Sequence, residues 1–115
     1  MSQHYADAVE ARVKALNETV RKRTGSTEDG DPLMTAAFSP NAPLLRINRG
    51  KPKNDESAQR GHMFLCQGVV GAWRSPRAHT TIDDSPARAL MMLELIGDLM
   101  GTTKAATRTR KRSKP

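Results

Sequence analysis

Residues 54–79 of this 115-residue chain read NDESAQRGHMFLCQGVVGAWRSPRAH, a helix-forming run that ends in a proline break. Asn54, Asp55 and Ser57 offer N-caps, and the apolar residues that follow predict a major helix running to about Arg74. Pro76 disfavours the α conformation at Ser75 and cannot donate to the helical ladder. The stretch therefore predicts one long helix and a bend where the chain leaves it.

Two helices are predicted before this stretch. Residues 3–23 form an amphipathic pattern, and Gly25 supplies a C-terminal stop. Apolar residues recur along this helix at intervals of three or four positions: Tyr5, Val9, Val13, Leu16 and Val20. Asp31, followed by proline, then predicts the N-cap of a short helix that runs to Phe38.

A last helix is predicted from Pro86 to Met100, with Gly101 ending it. It is apolar on most sides, so it is either the central helix or meets a partner. Glycines inside the helix over residues 54–74 cost roughly 1 kcal/mol each relative to alanine. They predict close approach of another helix, from this chain or from a second subunit: Gly61, Gly68 and Gly71.

The composition favours helix packing over a sheet, because aromatic residues are few and Leu, Met, Val and Ala are left to fill the interior. The proline-rich stretch over residues 39–53 predicts a long ordered loop or a short extended segment. Cys66, the single cysteine, cannot form an internal disulfide and is expected to be buried. No apolar run reaches the ~18 residues that span a bilayer, and the N-terminus lacks a signal-peptide layout, so we expect a cytoplasmic protein without membrane contact.

The net charge of +7 is concentrated at the C-terminus. Residues 1–103 hold 13 basic and 12 acidic side chains, whereas residues 104–115 hold six basic side chains and no acid. We therefore expect one folded domain over residues 1–103 and a disordered basic tail over residues 104–115. The tail is either a solubilising end or a sequence-independent phosphate contact, and its removal is expected to leave the fold unchanged. Its basic residues are Lys104, Arg108, Arg110, Lys111, Arg112 and Lys114.

Arg74 and His79 stand five positions apart around Pro76. On an unbroken helix they would point about 140° away from each other, but a bend lets them converge. A guanidinium can hold a phosphate and an imidazole can move a proton near neutral pH, so the pair predicts a phosphodiester site. Arg77, in the same bend, either contacts phosphate or pairs with a nearby aspartate. In the alternative interpretation, Arg74 caps the helix and His79 caps the loop. The histidines and the cysteine show no metal-ligand spacing, and no phosphate or dinucleotide loop is present, so no metal or cofactor is expected.

Several separated blocks of the chain occur in the order known from one family. They are residues 5–11 (YADAVEA), 20–25 (VRKRTG), Phe38, 43–48 (PLLRIN), 57–65 (SAQRGHMFL), Gly68, Gly71, Arg74 and 76–79 (PRAH). Together they resemble the Ymh-type abortive-infection C-terminal domain, a bacterial and phage family of the HEPN superfamily, over roughly residues 4–100. The resemblance implies an all-α, HEPN-like bundle of about four helices.

The resemblance also implies an activity. Similar HEPN proteins are metal-independent endoribonucleases that act as dimers, as toxins or phage-defence effectors, and an antitoxin or defence-system partner is a further expectation. Arg74 would bind the scissile phosphate of RNA and His79 would act as general base on a ribose 2′-hydroxyl, while a symmetric homodimer supplies a second histidine. Ser75 stands where the family typically has asparagine, and it retains one hydrogen-bond donor.

Two rival interpretations remain. A noncatalytic HEPN module that binds RNA or a partner is favoured by Ser75. A small DNA-binding protein acting through its tail is disfavoured, because the body is nearly neutral and lacks a helix-turn-helix pattern.

Overall fold

The computed structural model describes residues 3–49, 53–74 and 85–109. Within these ranges the chain forms four α-helices and two strands of two residues each. The elements are α1 (Gln3–Thr24), α2 (Gly30–Phe38), β1 (Leu45–Arg46), α3 (Lys53–Trp73), α4 (Pro86–Ala105) and β2 (Thr107–Arg108). The predicted all-α bundle of four helices is confirmed. No helix among the described residues combines the length and the apolar character needed to cross a membrane.

Helix α1 contacts each of the other three helices, as does α3. Its predicted apolar stripe is confirmed except at Tyr5, which is exposed, and the other four residues are fully buried: Val9, Val13, Leu16 and Val20. Each such side chain contributes about 1.5–3 kcal/mol through the apolar surface it removes from water. The helix ends as predicted, because Gly25 adopts a φ of 71° and its N–H donates to the Arg21 carbonyl at 2.8 Å.

Helix α2 begins at Gly30, one residue before Asp31, which was its predicted N-cap. Asp29, and not Asp31, is the N-cap residue, and Gly30 follows it with a φ of 60°. The Asp29 carboxylate makes no hydrogen bond to its own helix. Instead, the Asn17 side chain of α1 supplies the acceptor, since its Oδ1 accepts from the Gly30 N–H at 3.2 Å. A side chain from another helix thus takes over part of the capping role.

The predicted loop between α2 and α3 is held in place by one buried side chain of α3. Gln59 donates from Nε2 to the carbonyls of Phe38 at 3.1 Å and Leu45 at 2.9 Å. Its Oε1 accepts from the Ile47 N–H at 3.0 Å. Buried backbone groups require such partners, so Gln59 permits the loop and β1 to lie against the core.

Helix α4 starts as predicted and ends later than predicted. Ser85 is its N-cap, with the hydroxyl accepting from the Arg88 N–H at 3.1 Å, and Pro86 occupies the first turn. The helix continues past Gly101 to Ala105. Thr103 and Ala106 are buried, and this packing offsets the cost of the glycine.

The prediction of a disordered tail is wrong for residues 104–109. Lys104 belongs to the last turn of α4, and Arg108 belongs to β2, which pairs antiparallel with β1. The Arg23 side chain of α1 binds the end of α4, with Nη1 2.9, 3.0 and 2.7 Å from the carbonyl oxygens of Thr103, Lys104 and Ala106. These contacts require partners distant in the sequence, which a composition-based prediction does not include.

Arg108 makes the reciprocal contact, from the chain after α4 to the end of α1. We call the two contacting helix ends the junction. Arg108 Nη2 donates to the Thr24 carbonyl at the end of α1 at 3.0 Å. Each of the two helices is therefore capped at its C-terminus by an arginine that belongs to the other helix or to the strand after it. The remaining predicted tail cations lie outside the described residues: Arg110, Lys111, Arg112 and Lys114.

The glycines of α3 do not serve close packing against the described residues of the chain. A Cβ atom added at Gly61, Gly68 or Gly71 would meet no described side chain or neighbouring backbone within 4 Å. The predicted approach of another helix is thus wrong for the described helices of this chain. Approach by a second subunit stays a prediction.

Two truncations should separate the ordered and the distal parts of the tail. Removal of residues 110–115 is expected to leave the free energy of unfolding unchanged. Removal of residues 104–115 deletes β2, the Arg108 cap and two of the Arg23 acceptors, so we expect a loss of roughly 2–4 kcal/mol at about 1 kcal/mol per hydrogen bond. Urea unfolding followed by circular dichroism measures both. Equal stability of the two truncated chains would contradict the assigned role of the junction.

Candidate functional site

Arg74 stands where the chain leaves α3. The helix ends at Trp73, so the structure confirms the predicted exit from the helix just before Ser75. The Arg74 side chain is 44% exposed and reaches the linker between α1 and α2, where its Nη2 donates to Asp29 Oδ2 at 2.7 Å. Within the described residues, the Arg74 guanidinium donates to Asp29 and to no carbonyl of α3, whereas the alternative interpretation has Arg74 capping that helix.

Asn17 and Asp29 form a polar relay behind Arg74. The buried Asn17 side chain donates from Nδ2 to Asp29 Oδ1 and accepts the Gly30 N–H on Oδ1. The second carboxylate oxygen of Asp29 accepts from Arg74. The relay connects α1, the start of α2 and the end of α3. Through these hydrogen bonds it fixes the position of the Arg74 guanidinium. Sequence reasoning missed both Asn17 and Asp29, because no motif joins them to Arg74.

The relay lowers the pKa of Asp29. The hydrogen bond from Arg74 is the largest cause, and the hydrogen bond from Asn17 is the second. Asp29 therefore stays ionised at neutral pH, and the contribution of the pair is present above the ordinary pKa of 3.8 and is lost as pH falls through the lowered pKa. Because both side chains are about half exposed, the ion pair positions Arg74 more than it stabilises the fold.

An open pocket of about 390 Å³ lies against the Arg74 side chain. It is lined by Gly30, Asp31, Val70, Gly71 and Arg74. A guanidinium carries five N–H donors, and the bond to Asp29 uses only Nη2, so donors remain for a second acceptor in this pocket. The arrangement can hold an anion such as a phosphate in a planar, two-pronged contact.

The other predicted residues of this site are Ser75, Arg77 and His79, and all three lie outside the described residues. The convergence of Arg74 and His79 therefore stays a prediction. Of the predicted nucleic-acid contacts in the tail, Lys104 is exposed on α4, whereas Arg108 is exposed but also engaged with Thr24.

His62, for which the sequence predicts a surface or partly buried position, is buried in the core. Its Nε2 lies 3.2 Å from Thr103 Oγ1 and 3.5 Å from Cys66 Sγ, and its ring packs edge-to-face on Phe38 at 4.5 Å. Burial lowers the pKa of His62, while Asp98 acts in the opposite direction. A buried, neutral imidazole of this kind packs rather than catalyses.

Cys66 is buried as predicted. Burial raises the pKa of its thiol to about 12, which leaves almost no thiolate at neutral pH. In the part of the chain that the structure describes, no group of three or more His, Cys, Asp or Glu side chains is arranged to hold a metal ion.

An apolar groove lies along α3 on the side that faces α4. It has a volume of about 230 Å³, and we call it the α3 groove; its lining residues are Phe64, Leu65, Gly68, Val69, Ala72, Trp73 and Leu95. Phe64 and Leu65 are 57% and 49% exposed. Large apolar side chains with this exposure are typical of a surface that another protein covers. Trp73 lines the groove and immediately precedes Arg74, so the two surfaces are adjacent.

These features define a small helical bundle with an exposed, positioned arginine next to an apolar groove. A family model described as "Protein of unknown function (Hypoth_ymh)" matches residues 1–101, and the chain belongs to this family. The matched region contains Arg74 and the predicted site that follows it, and it ends before Lys104. No curated protein and no solved structure matches the chain.

Titration of Asp29 tests the relay. In the wild-type chain the pKa of Asp29 is expected below 3.8, and Arg74→Ala should raise it toward that value because the largest cause of the shift is removed. Carboxyl-detected NMR over pH 2–6 measures the pKa. Arg60→Ala, at an exposed arginine of α3, is the control and should leave the pKa of Asp29 unchanged. An unchanged pKa in Arg74→Ala would show that the ion pair does not form in solution.

Proposed function

We propose that this protein is a HEPN-type, metal-independent endoribonuclease that acts as a dimer in phage defence. The observation that carries the proposal is the position of Arg74. Its side chain is held by Asp29 at the exit of α3, faces an open pocket and retains hydrogen-bond donors. This is the residue to which the Ymh-type resemblance assigns phosphate binding.

The proposed reaction is an intramolecular transesterification of RNA. His79 removes the proton from a ribose 2′-hydroxyl, and the 2′-oxygen attacks the adjacent phosphorus. Arg74 donates to the phosphate oxygens, where negative charge accumulates in the transition state. The bond from phosphorus to the 5′-oxygen breaks, and that oxygen takes up a proton, so the products carry a 2′,3′-cyclic phosphate and a 5′-hydroxyl.

A dimer is proposed because one histidine cannot be base and acid at the same instant. A second copy supplies the second histidine. The α3 groove supports this proposal, since its exposed apolar side chains and open glycine positions offer a surface for another helix. The groove ends at Trp73, so an interface there would lie next to Arg74.

The second candidate function is a noncatalytic module that binds RNA or a defence-system partner. Two observations favour it. Ser75 replaces the asparagine that is typical of the Ymh-type motif. In addition, one donor group of Arg74 is already engaged with Asp29, which competes with phosphate for the guanidinium.

Cleavage assays distinguish the two candidates. Purified protein is incubated with mixed RNAs in the presence of EDTA, and a DNA oligonucleotide with a single ribose locates the bond that is cut. We expect cleavage only after the ribose. His79→Ala and Arg74→Ala should each reduce the rate by roughly 10²- to 10⁴-fold. Arg74→Lys should also fail, because an ammonium does not reproduce the two-pronged contact.

Matched controls are His4→Ala and Arg60→Ala, which remove an exposed histidine and an exposed arginine elsewhere. Both should cleave like the wild type. If His79→Ala cleaves as well as the wild type, the catalytic assignment is wrong. If the wild type cleaves no RNA but Ser75→Asn does, the noncatalytic candidate is correct for the natural chain.

The dimer is tested by placing a charge in the α3 groove. Phe64→Glu is expected to shift the protein from dimer to monomer and to remove cleavage, because a carboxylate in an apolar interface is not solvated. Analytical ultracentrifugation at micromolar concentration measures the mass. Ala11→Glu, an exposed position of α1, is the control and should remain dimeric. A folded wild-type monomer would rule out the proposed interface.

A further inference from the structure

The C-terminal ends of α1 and α4 lie side by side. Arg23 binds the last carbonyls of α4, and Arg108 binds the Thr24 carbonyl of α1. These contacts bring Lys22 and Lys104 to the same end of the molecule, since each is the sequence neighbour of a residue in the junction. We call this surface the basic end; it comprises Arg21, Lys22, Arg23, Lys104 and Arg108.

The two arginines of the junction change the charge that an incoming anion meets. A helix C-terminus carries roughly half a negative charge, so two adjacent C-termini repel phosphate. The guanidinium groups of Arg23 and Arg108 are aimed at these carbonyls and offset their partial charge. Lys22 and Lys104 are exposed and make no ion pair within 4 Å among the described residues. Their charge is therefore directed to solvent.

The basic end and the residues that follow Thr109 together account for the positive charge of the whole chain. Together with the four cations that follow Thr109 in the sequence, the basic end holds nine of the 19 basic residues. Glu18 is the acid that pairs there, with Arg21 at 3.4 Å on the surface. The rest of the chain holds ten basic and eleven acidic side chains. The positive charge is thus divided between the basic end and the residues that follow Thr109, whereas a count over the sequence assigned it to the tail alone.

We propose that the basic end is a binding site for the phosphodiester backbone of a nucleic-acid strand. The site goes beyond the proposed catalytic function, because none of its residues belongs to the Arg74 site. Clustered lysines neutralise successive phosphates and release counterions, without reading the bases.

A membrane surface fits this end less well. Membrane-binding helices combine cations with apolar side chains that insert between lipids. The exposed large apolar residues of the described chain are not among the residues of the basic end: Tyr5, Phe64, Leu65, Leu90 and Met91. Tyr5 is about 25 Å from Lys22 along α1, at 1.5 Å per residue.

The test compares two charge-matched double variants. Lys22→Gln with Lys104→Gln changes the basic end, and Arg12→Gln with Lys53→Gln removes two exposed cations elsewhere. Fluorescence anisotropy measures binding of a labelled 2′-O-methyl uridine 15-mer, which lacks the 2′-hydroxyl that cleavage needs. We expect the first variant to bind about 10-fold more weakly at 50 mM salt and to lose about 1.4 from the log–log salt slope, at 0.7 per phosphate contact. The control should stay within about twofold of the wild type.

Further arms decide the nature of the ligand. Lys22→Arg with Lys104→Arg should restore wild-type affinity, since the charge is kept, and duplex DNA should show the same loss in the Gln variant. Equal loss in both Gln variants would overturn the proposal, because net charge and not position would then govern binding. Binding to anionic vesicles without binding to either nucleic acid would also overturn it. A chain that binds here but never cleaves RNA contradicts only the proposed enzyme.

Discussion

The burial of the apolar stripe of α1 is the constraint on which the rest of the structure depends. Each of the other helices packs on α1, and four residues of the stripe are fully removed from water: Val9, Val13, Leu16 and Val20. In a chain with few aromatic residues, this aliphatic packing supplies much of the driving force for folding. This packing fixes the directions in which the polar side chains of α1 point. Two of these side chains position the Arg74 site and the basic end.

Asn17 and Arg23 extend from α1 toward the two sites. Asn17 holds Asp29, which in turn positions Arg74. Arg23 closes the end of α4 and so builds the basic end. In the two proposed roles, α1 holds a phosphate-binding arginine and a surface that binds the nucleic-acid backbone in one fixed arrangement. The active-site contact would then act on a strand that the basic end has already captured through sequence-independent charge.

The fold was predictable from the sequence wherever the signal is local. Apolar spacing predicted α1, Gly25 marked its end, and Pro86 predicted the start of α4. The sites were predictable only in part. Arg74 was found from its relation to Pro76, but its partner Asp29 lies 45 positions away, and no local pattern connects them.

The same limit explains the error at the C-terminus. Gly101 is a strong local stop signal, yet Arg23, 80 positions earlier than Thr103, stabilises the carbonyls beyond it. From the sequence, Arg108 was predicted to be one more cation of the tail. Its acceptor, the Thr24 carbonyl, comes within hydrogen-bond distance only when the helices are packed. Likewise, nothing in the sequence distinguishes Gln59 from other helical residues, yet in the fold it makes three hydrogen bonds to backbone groups.

Arginine-detected NMR tests most directly the proposal that Arg74 binds a phosphate of RNA. The Arg74 Nε–Hε signal is followed while a non-cleavable 2′-O-methyl RNA is titrated into the protein at neutral pH. We predict a saturable shift of this signal together with a change at the Asp29 carboxyl, because phosphate competes with Asp29 for the guanidinium. Shifts confined to Lys22 and Lys104, with Arg74 and Asp29 unchanged at saturation, would contradict the claim.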